Sequence, residues 1–198
     1  MFDHPLFSPP FFGNLFVKRA PEPHRARVRV PAEIPTQINL AATAEEWCVN
    51  REATASKQVR IAESRNGELR IKGAVADDGN VQRALKRWLA RRAKSHLVAQ
   101  LDELSDRHGF SYERATIRFQ RSRWGSCSSR GTISLNARLM FLPPELVRCV
   151  LTHELCHTAH LNHGPQFWSL LDQVEPEHRA LHRELRQGSR HIPGWALT

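Results

Sequence analysis

Leu142-Pro143-Pro144-Glu145-Leu146-Val147-Arg148-Cys149-Val150-Leu151-Thr152-His153-Glu154-Leu155-Cys156-His157 reads as a single helix that ends in a metal-binding step. Proline is tolerated in the first turn of a helix, and Glu145 suits the positive end of its dipole. Leu146, Val150, His153 and His157 fall at helical spacing on one stripe, with Arg148 and Thr152 roughly opposite. Residues four apart stack on one face, so His153 and His157 can hold a single metal ion between them. Glu154 projects beside that ion, where it can act as general base toward a zinc-activated water. A buried pair of imidazoles needs partners, and a metal supplies them.

A catalytic zinc takes three protein ligands and keeps one position open. His160 continues the stripe, but it lies a further turn along and would have to reach back past His157. His163 follows Asn162, a residue that tolerates the left-handed conformation ending many helices. Gly164 and Pro165 then stop the helix, and Gln166-Phe167-Trp168-Ser169-Leu170-Leu171 starts the next. This turn favours His163 as third ligand over His160, Asp172, Glu175 and Glu177.

The ordered set Arg123-Trp124-Gly125-Ser126-Cys127-Ser128-Ser129, Ile133-Ser134-Leu135-Asn136, Leu142-Pro143-Pro144-Glu145, His153-Glu154-Leu155-Cys156-His157 and Asn162-His163-Gly164-Pro165-Gln166-Phe167-Trp168 resembles the YgjP-like metallopeptidase domain. That family belongs to the minigluzincins, small zincins related to the SprT/Spartan and WLM peptidases. The motif-bearing part spans about residues 114–170, and a looser likeness extends back to about residue 25. The resemblance implies His153, His157 and His163 as ligands of one Zn2+ per chain and Glu154 as catalytic base. It also implies a protein or peptide substrate. Ala137 departs from the pattern, standing where a larger strand residue is expected.

The expected architecture is α+β and zincin-like: N-terminal strands, a long helix, a small sheet and the HExxH helix packed across it. Residues 1–24 hold five of the nine phenylalanines among several prolines and are expected to form a disordered tail. Residues 25–198 are expected to form one domain. Alternating runs from Arg27 to Leu40, Gln58 to Ala62 and Leu69 to Gly73 read as strands, with a turn at Arg65-Asn66-Gly67 between the last two. Asp77-Asp78-Gly79-Asn80 caps a helix from about Val81 to Arg107, which His108-Gly109 ends. Thr116–Gln120 and Thr132–Asn136 read as strands joined by the loop Arg123–Gly131. In that loop Arg123 and Arg130 could meet a carboxylate or phosphate. Trp124 and Asn136 complete the tentative substrate-binding set, while Trp124 would also plug the core. For the oxyanion, His160, His178, Arg123 and the sole tyrosine, Tyr112, are candidates. A last helix is expected at Glu177–Gln187, with His178 and His182 on its surface.

Four cysteines in no paired spacing, and a phenylalanine-rich N-terminus interrupted by prolines, point to the cytoplasm rather than a secreted scaffold or a signal peptide. No run is long enough for a membrane span. The net charge is +9, and six arginines lie between Arg114 and Pro144 without one acid. Arg83, Lys86, Arg87, Arg91, Arg92 and Lys94 form a second run. A solvated basic face is the plainer reading, though such a surface could also attract nucleic acid or nucleotide. Two other functions compete with peptide hydrolysis: a zinc-dependent nucleotide pyrophosphohydrolase, and a non-catalytic zinc-containing module that binds DNA or protein.

Overall fold

A computed structural model describes residues 33–197. The expected tail at 1–24 and the start of the expected first strand lie outside them. Strands β1 (Gln37–Leu40), β2 (Glu45–Ala53), β3 (Arg60–Glu63) and β4 (Glu68–Gly73) form a four-stranded sheet in the order β1-β2-β4-β3. β2 and β4 are parallel, and both outer strands pair antiparallel. Gly67 takes φ 71° in the β3–β4 turn, a conformation that costs glycine little. The sequence reading missed β2. Only Trp47 and Val49 of its nine residues point fully inward.

Helix α1 runs Asp78–His108. The Asp77 carboxylate accepts a hydrogen bond from Asn80 N at 3.0 Å, and Gly109 at φ 69° ends the helix. Its stripe of Val81, Leu85, Trp88, Leu89, Leu97, Leu101 and Leu104 is buried, as its spacing predicts. Each such side chain contributes about 1.5–3 kcal/mol. Trp88 Nε1 donates to Glu63 Oε1 at 2.9 Å, which ties α1 to β3.

Strands β5 (Arg114–Arg118), β6 (Gly125–Cys127) and β7 (Thr132–Asn136) make a second sheet in the order β5-β7-β6. β5 starts two residues earlier than expected and runs parallel to β7. The expected loop contains β6, which pairs antiparallel with β7. Ala137 is wholly buried and opens a 3₁₀ turn, Ala137–Phe141, rather than extending the strand.

Helix α2 (Pro144–Ala159) starts at the predicted proline. It is not amphipathic in the way its spacing suggested. Thr152 is buried, and Arg148 reaches Glu175 at 3.2 Å, because α1, β6, α3 (Pro165–Val174) and α4 (His178–Leu185) surround the helix. α4 is followed by a 3₁₀ turn, Gly188–His191, and a short α5, Gly194–Leu197. Arg138, one of the six arginines in the acid-free run, is also buried. Its guanidinium donates to the carbonyls of Gln120, Ala196 and Leu197 at 2.8, 2.6 and 3.0 Å, clasping the C-terminal helix to the core. Among the described residues, no helix is long and apolar enough to cross a membrane.

Candidate metal centre

The last two turns of α2 bring His153 and His157 together, as their spacing requires. The chain leaves the helix at His160 in extended conformation and re-enters a helix after Gly164, with Pro165 in the first turn of α3. His163, in the turn between them, folds back over α2. Its Nε2 lies 3.1 Å from His153 Nε2, and His157 Nε2 lies 3.1 Å from the same atom. The three ligand nitrogens fall within 4.8 Å of one another.

One imidazole nitrogen cannot make a good hydrogen bond to two others at once, because a ring nitrogen carries either one proton or one lone pair. Nitrogens sharing a tetrahedral zinc at about 2.0–2.1 Å would be separated by roughly 3.4 Å. The observed spacing therefore suits a shared cation. Protonation suits it too. Burial holds His153 well below its usual pKa, and His157, His182, His163 and His178 add to the effect. Burial likewise lowers His157, and it brings His163 down to about 4 with help from His157. Neutral rings keep the lone pairs a metal takes.

Phe167, fully buried in the first turn of α3, forms the apolar floor. Its ring centroid lies 4.9, 4.6 and 4.7 Å from those of His153, His157 and His163. His157 Nδ1 donates to the carbonyl of His160 at 3.0 Å. His160 thus serves His157 through its backbone, while its ring is not among the three converging groups.

Glu154 is buried, and burial pushes its carboxyl up to about 8 against the opposing charge of Arg123. Its Oε2 is shut from solvent without a hydrogen-bond partner. Gly125 of β6 creates the space beside it. A Cβ there would sit 2.6 Å from Glu154 Oε1 and 2.7 Å from Cγ. Sequence reading did not single out Gly125, although it lies within the quoted Arg123–Ser129 motif. Cys127, two residues on, has its thiol pushed up to about 11 by burial and by Glu154.

The tentative substrate-binding residues separate. Arg123 is exposed near enough to Glu154 for its charge to be felt. Trp124 is buried against Gly188, where a Cβ would come 2.9 Å from its ring. Asn136 is buried, and its amide nitrogen donates to the carbonyls of Gln120 and Arg123 at 2.8 and 2.7 Å. It therefore holds the loop that carries Arg123. Arg130 is exposed in the turn beyond β6. Tyr112 bonds Asp102 of α1.

His178 is buried and His182 half-buried, against the expectation that both lie on the surface. His178 is 2% exposed, and its Nε2 meets Asp172 Oδ1 at 2.8 Å. His182 packs edge-on to His153 with ring centroids 5.3 Å apart. Their partners come from α2 and α3, so local sequence gave no sign of burial. Asp172 and Glu175, weighed as ligands from sequence, are instead paired with His178 and Arg148.

Comparison with curated proteins finds no match. Among solved structures, the crystal structure of the metallopeptidase zymogen of Pyrococcus abyssi abylysin is similar at 26% identity and a TM-score of 0.39. The match covers 45% of this chain and 87% of that one. A family model for the YgjP-like metallopeptidase domain matches residues 37–188, including the two sheets, α2 and the three converging histidines. The chain belongs to the YgjP-like metallopeptidase family.

Proposed function

We propose that this chain is a zinc-dependent peptidase of the minigluzincin type in which His153, His157 and His163 hold the metal and Glu154 is the catalytic base. The observation that carries the reading is the meeting of three converging imidazoles with a buried carboxylate whose Oε2 has no partner. When bound, zinc lowers the pKa of a coordinated water to about 7 and polarises a carbonyl.

The chain's own residues supply the rest. Glu154 takes a proton from the attacking water and delivers it to the leaving amine. Its carboxyl, near 8 from burial, would fall toward neutrality beside a dication, so proton transfer in both directions stays accessible. Phe167 and the walls of α2 exclude bulk water from the histidine side. Arg123, exposed and close enough for its charge to be felt at Glu154, steadies the developing charge. β6 is an edge strand among the described residues, with Gly125 against the base. An extended peptide can add to such an edge through backbone hydrogen bonds.

The test compares products by mass spectrometry from unfolded protein and from nucleoside triphosphates, with and without a zinc chelator. Peptide products that vanish with the chelator support the reading. Zinc-dependent triphosphate cleavage without peptide products would replace it with phosphoanhydride chemistry. If neither substrate is turned over and zinc stays bound, the non-catalytic binding module gains ground.

A further inference from the structure

His153 has two ring nitrogens and two surroundings. Nε2 faces His157 and His163, which leaves Nδ1 as the second polar atom of a ring that is 3% exposed. That Nδ1 is shut from solvent and has no hydrogen-bond partner. His157, the other candidate ligand on α2, is already served by the carbonyl of His160. Metal-bound imidazoles nearly always donate their second N–H, because that bond fixes the tautomer and the ring plane.

A matching acceptor lies nearby. His182 of α4 also has a buried ring nitrogen, Nε2, without a partner, and its ring stands edge-on to His153 at 5.3 Å. A centroid separation of 5.3 Å is short enough for ring nitrogens that face each other to share a hydrogen bond. His182 is itself held. His178, one turn earlier, packs against it at 5.3 Å, stacks on Trp168 at 5.8 Å and is bonded to Asp172 at 2.8 Å. Asp172 and Trp168 both belong to α3, the helix that follows His163.

We propose that His182 is a positioning residue that accepts the Nδ1–H of His153, with His178 and Asp172 anchoring it, so that α4 sets the orientation of a zinc ligand on α2. The inference rests on the metal reading above. It assigns tautomers throughout: a proton on Nδ1 of His153, a lone pair on Nε2 of His182, and a proton on Nε2 of His178 facing the carboxylate.

The experiment measures zinc affinity by chelator competition in wild type, His182→Leu and His182→Gln, together with thermal melts of the metal-free proteins. His182→Leu should bind zinc about 10–100-fold more weakly. His182→Gln, whose side-chain carbonyl can accept the same proton, should recover much of that loss. A role confined to packing would lower the metal-free melting temperature without rescue by glutamine. A folded His182→Leu protein with wild-type zinc affinity overturns the proposal. Absence of zinc from wild type overturns the metal reading and this inference with it. Should leucine at 182 prevent folding, 15N-histidine NMR of the zinc-loaded wild type decides. A coupling across the bond from His153 Nδ1 to His182 Nε2 supports the proposal. A His153 Nδ1 proton that exchanges freely with water refutes it.

Discussion

Gly125→Ala adds one methyl group against the proposed base, and the structure sets the size of the effect. The new Cβ would lie 2.6 Å from Glu154 Oε1, 2.7 Å from Cγ and 2.9 Å from Cδ. Carbon contacts are comfortable at about 3.5–4.0 Å, so the carboxylate must retreat by about 1 Å. It has little room to do so, since Glu154 is 2% exposed on a helix packed on several sides. Overpacking of this kind costs about 1–3 kcal/mol, which for a chain of this length lowers the melting temperature by roughly 2–12 °C. A displacement of that size at a catalytic group costs on the order of 100-fold in turnover. The three atoms nearest the new Cβ all belong to Glu154 and none to the proposed zinc ligands, so metal content should hold. The assay is initial rate on an unfolded protein substrate at matched zinc content, with melts alongside. Gly164→Ala is the control. It sits in the same site loop, in an extended conformation open to any residue, and its added Cβ would meet nothing within 4 Å. Wild-type turnover in zinc-loaded Gly125→Ala would refute the placement of the base.

Four further outcomes follow from the histidines, the proposed base and the C-terminal clasp. His163→Ala should lose most of the bound zinc while His160→Ala keeps it, since the carbonyl of residue 160, not its ring, meets His157; equal retention in metal analysis would remove His163 from the ligand set. In chelator-treated protein, His163 and His182 titrate near 4 when folded against an ordinary 6.5, so the unfolded chain binds more protons between those values and stability rises with pH across that window. Glu154 has the opposite sign: raised from 4.5 to about 8, it keeps its proton when folded, and its stabilising contribution fades as pH rises through about 8. Urea midpoints of metal-free wild type and Glu154→Gln should therefore converge less at pH 9 than at pH 5, with the variant relatively more stable at the higher pH; a difference independent of pH would contradict the shift. Arg138→Met should cost about 3 kcal/mol by leaving the carbonyls of Gln120, Ala196 and Leu197 without their guanidinium donor, and Arg138→Lys should recover only part, read as the urea midpoint.

What could be read from the sequence was whatever local spacing controls. The 3.6-residue period places His153 and His157 on one face whatever surrounds them, and Asn162-His163-Gly164-Pro165 stops the helix by backbone chemistry alone. The α1 cap at Asp77 and its end at Gly109 are local in the same way. Features that depend on distant partners were not readable. β2 carries Glu45, Glu46, Asn50, Arg51 and Glu52 around two inward residues, and it becomes a strand because β1 and β4 flank it. β6 has three residues, too few to show a period of two. Arg138 looks like its exposed neighbours until the C-terminal carbonyls arrive, and His178 and His182 look solvated until α3 and α2 close over them.

The most direct measurement takes wild type and Glu154→Gln, strips and reloads both with zinc, and records zinc per chain and peptide products from the same samples. The account predicts one zinc per chain in each protein and products from wild type alone. Undiminished cleavage by the zinc-loaded variant, or cleavage by wild type stripped of zinc, would contradict it.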